Sequence, residues 1–294
     1  MKTKDFLPGG AELLLAGVIV ARATSYLFSK LILEGMGLYN LLALRFSLAF
    51  LLLAALFFRR LRGIDRKTLH AGCIMGGMFF LVVSAELHGL RHAPSSTVSF
   101  LVNTAIVFVP LLNAALSRRA PQRNTLVSAA LCLAGVGLLT LGSGLGFGAG
   151  EAWSLLAALL YACTILVTDR LSHSGIDSLS AGVVQVGAMA ALSLAVSFLT
   201  ETPRLPASTL EWIGVVMLAV VCTGFGFTLQ PLAQSKTSAE QAGLFCAINP
   251  LVAACLGGLV LQERLSPQGL LGALLILVGL VLAARRKRLE KRTA

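Results

Sequence analysis

The chain has 294 residues, 56% of them apolar and 13% charged, with a mean hydropathy of +0.85. That composition excludes an ordinary soluble domain. The formal net charge of +11 invites a nucleic-acid partner, but the loops in which the basic residues fall argue against one, as shown below.

Apolar runs occupy 11–33, 38–58, 69–90, 95–116, 124–142, 150–171, 179–199, 210–232, 239–261 and 267–284. Each is about 20 residues, enough to cross a ~30 Å hydrocarbon core at 1.5 Å per residue. Lys2 and Lys4 followed by LLLAGVIV and Ala21-Arg22-Ala23 imitate a secretory signal. The apolar run continues to Leu33, so 11–33 reads as a first membrane helix rather than a cleaved leader. The expected fold is all-α and integral to the membrane, with ten transmembrane helices.

The chain repeats itself. Pro110 and Pro250 each sit in the middle of an apolar run that is followed by a short polar break and a second run, and they lie 140 positions apart. The same offset relates Gly10 to Gly150, Lys30 to Arg170 and Arg45 to Gln185, while Gly135 and Gly279 are 144 apart. This is a tandem duplication, 1–145 and 146–294, within one membrane domain. Five helices per copy is an odd number, so the second copy enters the membrane from the opposite side. Two inverted five-helix repeats that exchange conformations generate alternating access. A channel or an anchor has no need of that arrangement.

Orientation follows from Lys and Arg. With a cytoplasmic N-terminus, the basic clusters at 59–67, 118–123 and 285–292 all fall inside, and only Lys30, Arg91, Arg204 and Arg264 fall outside. Both termini are therefore expected in the cytoplasm, and the RRKRLEKR tail reads as an anchor near anionic headgroups. The basic charge then needs no nucleic acid. Cys73, Cys132, Cys163, Cys222, Cys246 and Cys255 all lie in apolar runs without CxxC spacing. They read as small buried or lipid-facing residues, and no metal or cofactor is expected. The LGSGLGFGAG segment follows no strand and reads as a linker between the copies.

Charges inside membrane helices cost about 2.5–3.5 kcal/mol at the centre on insertion scales, so each needs a partner or a watery cavity. Arg22 lies near the midplane of the first run, where a snorkelling side chain would have to reach about 15 Å. It is a candidate partner for a substrate carboxylate, with a structural arginine tied to carbonyls as the alternative. Arg45 and Glu86 fall at similar depth in the second and third runs. They could pair; alternatively Glu86 binds a substrate amine or carries a proton. Tyr26 stands one turn from Arg22, and its hydroxyl, like that of Tyr161, needs a partner when buried. Asn103, Asn113, Gln185, Thr223, Thr228, Gln230 and Asn249 form a neutral polar tier that either binds substrate or glues helices together. Asn249 is favoured for binding because Pro250 deletes a helical hydrogen bond and frees a carbonyl near position 246. Gly72, Gly76, Gly77, Gly257 and Gly258 permit close helix approach and are candidate bending points. Trp153 and His88 read as interfacial.

ALRFSLAFLLLA, GEAWSLLAALLYACTILVTDR and above all INPLVAACLGGLVLQERLSPQGLLGALLILVGLVLA resemble the drug/metabolite transporter superfamily, in particular its EamA-type ten-helix exporters. The resemblance spans nearly the whole chain. The family's proline-containing helix, acidic loop residue and polar helix start fall on Pro250, Glu263 and Ser266–Gln268. The first copy departs from the pattern, with SRRAPQR where the acidic residue would stand, which points to a structural role for Glu263. The resemblance implies a basket around a central cavity, lined by the first, third, fourth, sixth, eighth and ninth helices. It also implies a secondary transporter of the bacterial inner membrane without nucleotide hydrolysis, consistent with the lack of a Walker A motif.

The expected function is export of small amphipathic metabolites, amino acids first, with Arg22, Tyr26, Glu86, Asn103, Tyr161 and Asn249 as substrate-binding residues. Proton coupling through Glu86 and transport down a gradient both fit, and the oligomeric state stays open. The alternative cargo is a cationic drug or nucleobase, for which Glu86 matters more than Arg22. A sensor or scaffold is the remaining alternative. No GxGD, HExxH or GxSx pattern supports an intramembrane enzyme.

Overall fold

Long apolar segments punctuated by Gly, Pro and charge fold as helices because a helix satisfies its own backbone in lipid. The computed structural model describes residues 10–116, 118, 123–141, 148–172, 174–225, 239–263 and 265–293. The helices are α1 (Gly10–Leu33), α2 (Leu38–Leu56), a single turn α3 (Phe58–Leu61), α4 (Arg66–His92), α5 (Ser95–Asn103) and α6 (Ala105–Leu116). They continue with α7 (Arg123–Leu141), α8 (Ala149–Ser172), α9 (Ser178–Thr200), α10 (Thr209–Val216), α11 (Ala239–Val260) and α12 (Pro267–Thr293). No strand occurs among the described residues. Five spans there are long and apolar enough to cross a membrane: Leu38–Leu56, Arg66–His92, Ser95–Leu116, Ala149–Thr168 and Ser178–Thr200. Shorter apolar helices accompany them at Leu126–Leu139, Thr209–Gly224, Asn249–Val260 and Pro267–Leu282.

Two helices depart from regular geometry. The fourth apolar run divides at Thr104, whose N–H bonds back to Leu101 O at 3.1 Å and whose carbonyl accepts from Val107 N at 2.8 Å. These are tight three-residue spacings, characteristic of a local 3₁₀ turn. Pro110 lies six residues farther on, inside α6. The eighth run turns from α10 into a π-helical segment, Met217–Phe225. Thr223 Oγ1 donates to Leu218 O, five residues back, at 2.8 Å, which suits the wider π register.

The helix starts are held by carboxylates, whose negative charge complements the exposed N–H groups and the helix dipole. Asp65 caps α4 through Thr68 N (3.3 Å), and Asp177 caps α9 through Leu179 N (3.3 Å) and Ser180 Oγ (2.6 Å). Asp65 is pulled below the usual carboxylate range, chiefly by its side-chain bond to Thr68. Glu201, at the end of α9, reaches across to the start of α2. Its two oxygens accept Tyr39 N (3.1 Å) and Asn40 N (2.8 Å).

Packing is led by α7 against α12, α4 against α8 and α9, and α2 against α9; α1 lies on α11 and on the π segment. Glycine lets several of these pairs approach to backbone contact. A Cβ on Gly72 would meet Val184 and the Ala181 carbonyl, and one on Gly76 the Gln185 carbonyl at 2.6 Å, so both seal α4 onto α9. Gly77 faces open space. The largest apolar cluster joins α1, α2, α4, α9 and the π segment around Phe46, Leu42, Leu87 and Leu218. A second lies between α7 and α12 around Cys132 and Ile276.

Candidate functional site

Between these clusters a third gathers Tyr26 of α1, Ala85 of α4, Val98 and Val102 of α5, Ala157 of α8 and Ala253 of α11, with Tyr161 packed against it. Five helices meet there, and several of the polar residues expected at a binding site stand on or beside it. Tyr26 is buried, and Tyr161 is partly buried. The Tyr161 ring meets Phe79 of α4 edge-on, with centroids 5.7 Å apart. Asn249 lies one turn before Ala253, on the same side of α11, and its Oδ1 is buried without a hydrogen-bond partner among the described residues. Glu86, partly buried, follows Ala85 in α4, and Asn103 follows Val102 in α5. Asn103 spends one donor within its own helix, Nδ2 to Ser99 O at 2.7 Å. The buried hydroxyls of Ser84 and Ser99 are unpartnered among the described residues. An unpartnered buried polar atom is costly in an apolar interior; a ligand with N–H or O–H groups would relieve it.

The other candidates scatter. Arg22 lies in α1, but its side chain falls outside the described residues. Asn113 is exposed on α6. Thr228 and Gln230 also lie outside the described residues. Residues 142–147 of the glycine-rich linker do too.

Arg45 sits in a setting that its own helix does not reveal. Only 4% exposed, it donates from Nε to Thr223 Oγ1 at 2.9 Å and from Nη1 to Ser25 Oγ at 3.1 Å. One guanidinium thus bridges α1, α2 and the π segment. Thr24 Oγ1 lies 3.6 Å from Cys222 Sγ alongside it. Ser25 and Thr223 are 198 positions apart in the chain, so no local spacing marks them as partners.

A group of long-range polar contacts lies at the face that carries the α1–α2, α4–α5, α9–α10 and α11–α12 connections. Glu263 Oε1 accepts Ser95 N at 2.7 Å, and its Oε2 accepts Ser95 Oγ at 2.9 Å, Ser96 N at 3.2 Å and Ser96 Oγ at 3.2 Å. That carboxylate therefore caps α5, in keeping with a structural role. Gln262 takes a positive φ of 55°, and Glu263 N bonds back to Gly257 O at 3.1 Å, which turns the side chain towards α5. A Cβ on Gly257 would come within 2.6 Å of Glu263 Oε2 and 2.8 Å of Ser95 Oγ. Gly257→Ala should therefore expel the carboxylate and cost about 1–3 kcal/mol. Chemical or thermal unfolding in detergent measures this, with Gly258→Ala as the control because its nearest neighbour, Glu263 O, is at 3.6 Å.

Arg204 ties down the same face. It donates to Glu211 Oε1 at 2.7 Å and Oε2 at 2.8 Å, and to Gly35 O at 2.5 Å. An aromatic row borders it: His88 stacks on Trp153 (4.8 Å) and meets Tyr39 edge-on (6.1 Å). Trp153 is 37% exposed.

A family profile, that of the EamA-like transporter family, matches the chain twice, over residues 9–141 and 148–285. The chain is similar to YetK, an uncharacterized transporter of Bacillus subtilis (strain 168), at 23% identity over 292 residues, covering 95% of this chain and 88% of that one. It is also similar to an uncharacterized transporter of Archaeoglobus fulgidus, at 26% identity over 276 residues, covering 94% and 86% respectively. A solved crystal structure superposes with a TM-score of 0.68 and 21% identity, covering 96% of this chain and 99% of the other. At that identity the likeness is one of fold.

Proposed function

From the premise that this chain belongs to the EamA-like transporter family and is a multi-pass membrane transporter, we propose that it exports small amphipathic metabolites, amino acids first. Its two halves, 1–145 and 146–294, act as inverted five-helix repeats in a ten-helix basket, and their exchange of conformation gives alternating access. The termini lie in the cytoplasm, and the membrane is the bacterial inner membrane.

The observation that carries the substrate reading is the cluster of Tyr26 and Tyr161, with Phe79 edge-on to Tyr161, one helical turn along α11 from Asn249, whose Oδ1 is buried without a partner among the described residues. Aromatic faces suit an apolar body, and a buried acceptor suits an N–H donor such as an amine. Arg22 supplies the partner for the carboxylate. Glu86 serves as amine partner or proton carrier.

The packing supports the repeat reading. Exchanging the halves turns the leading cross-contacts into others that are present. The α1–α11 pair becomes α8 with α5 and α6, and α4 with α8 and α9 becomes the π segment with α1 and α2. The α2–α9 and α7–α12 pairs map onto themselves. The double match of the family profile points the same way.

Counterflow in liposomes tests the function. Vesicles loaded with a panel of unlabelled amino acids are probed with one labelled aromatic amino acid. Arg22→Ala should lower exchange at least tenfold, about 1.4 kcal/mol in apparent affinity or more, with the protein still monodisperse. Normal exchange by that variant would leave Arg22 as scaffold. Exchange of cationic or nucleobase solutes that Glu86→Gln abolishes, with amino acids inert, would replace the amino-acid reading with the alternative cargo.

A further inference from the structure

The turn between α4 and α5 consists of two extended residues, Ala93 (φ −135°, ψ 159°) and Pro94 (φ −57°, ψ 146°). Such a turn leaves the last carbonyls of one helix and the first amides of the next without helical partners. Both sets are taken by side chains from elsewhere in the chain. Lys30, from the end of α1, donates from Nζ to Leu90 O at 2.8 Å and to Ala93 O at 2.5 Å. Glu263, from the α11–α12 connection, takes the Ser95 and Ser96 amides together with both hydroxyls. A cation at a helix C-terminus and an anion at a helix N-terminus are each the favourable arrangement. The Glu263 and Glu34 carboxylates also act on the Lys30 ammonium electrostatically. Directly beneath the turn lies the cluster of Tyr26, Val98, Val102 and Ala253. Whatever passes between that cluster and this face of the membrane must part α1, the α4–α5 turn and α11.

We propose that Lys30 and Glu263 form a two-sided latch on the Ala93–Pro94 turn that closes this face of the transporter, and that each transport cycle requires its release. This rests on the alternating-access reading. The structure is then the state closed at this face. The latch is made of charge-assisted bonds to backbone and to the Ser95 and Ser96 hydroxyls, which are strong when made and can be exchanged for water when the face opens. Gly257 belongs to it, because any larger residue there occupies the space of the carboxylate.

The test is cysteine accessibility in the full-length protein, in a background whose six native cysteines are replaced. Val98→Cys reports on the latch face: Val98 is fully buried and one turn from Ser95. Val109→Cys, on α6 beside Ala158 and Ala162, reports on the path towards the opposite face. A membrane-impermeant methanethiosulfonate is applied to intact cells and to inside-out vesicles. Lys30→Met removes one side of the latch. Glu263→Gln weakens the other, since a single amide oxygen cannot replace two carboxylate oxygens.

In either variant Val98→Cys should label at least tenfold faster, from one side of the membrane only, while labelling of Val109→Cys does not rise. Lys30→Arg should keep the slow rate, because a guanidinium also donates to carbonyls. Unchanged labelling in both folded variants overturns the latch. An equal rise at Val109→Cys also overturns it, as general loosening. Counterflow on the same proteins separates the two readings. Exchange by the parent with unchanged labelling removes the latch alone. Directional labelling without exchange of any solute by the parent removes the alternating-access reading and leaves the contact as the closure of this face.

Discussion

Gly272→Val should yield no stably folded protein. A Cβ at Gly272 would lie 2.6 Å from Gly135 O and 2.6 Å from Leu139 N, with Leu138 C at 3.1 Å, so the obstacle is the backbone of α7 itself. The contact is reciprocal: a Cβ at Gly135 would meet Gly272 O at 2.6 Å and Ile276 N at 2.8 Å. Farther along, Gly279 is pressed against Ser128 O and Cys132 Sγ. Where a side chain could rotate away, overpacking costs about 1–3 kcal/mol. Here two helices would have to separate, so the cost is expected at about 3 kcal/mol or more. In lipid there is little hydrophobic drive to hold helices together, and close van der Waals contact is what joins them. The same substitution at Gly137 of α7, where a Cβ would meet nothing within 4 Å among the described residues, should be tolerated. Size-exclusion profiles and thermal unfolding of the pair decide the point. A monodisperse Gly272→Val protein with an unchanged midpoint would sink it.

Arg45→Lys should be nearly as disruptive as a non-conservative change. Two bonds of Arg45 leave from different atoms, Nε to Thr223 and Nη1 to Ser25, so they use the width of the guanidinium plane. An ammonium concentrates its donors on one atom and cannot span the two hydroxyls in that geometry. Losing one hydrogen bond to a charged group costs about 1.5–3 kcal/mol. Arg45→Ala should cost more, since it also leaves a cavity beside Phe46 in a buried setting. Thr223→Val should couple to Arg45→Lys in a double-mutant cycle, the second change costing less once the first is made. Strict additivity would mean that the bond contributes nothing.

Arg45 also shows where reading the chain reached its limit. Its depth in the membrane was legible from the length of the apolar run, and so was the need for a partner. The hydroxyls of Ser25 and Thr223 were not, because neither carries a charge to betray it and Thr223 lies 178 positions away. Glu263 is the opposite case: its structural role was expected from the unequal repeats, and the capped α5 terminus supplies the physical content. The division of the fourth run at Thr104 was not legible either, since it rests on a hydroxyl bond (Thr104 Oγ1 to Leu101 O, 2.6 Å) and a 3₁₀ turn.

The amino-acid sequence by itself determined that this chain is helical, that it belongs in a membrane and that it resembles the EamA-type transporters. Those conclusions rest on the length of apolar runs, the only way lipid lets a backbone satisfy itself, and on motifs that lie contiguously in the chain. Only the tertiary structure decided which helices touch, that Gly135 and Gly272 meet backbone to backbone, that Arg45 bridges three elements, and that Lys30 and Glu263 hold opposite ends of one turn. Those facts depend on the relative rotation and depth of helices far apart in the chain. An apolar run that is hydrophobic on every side leaves both unspecified until its neighbours pack against it.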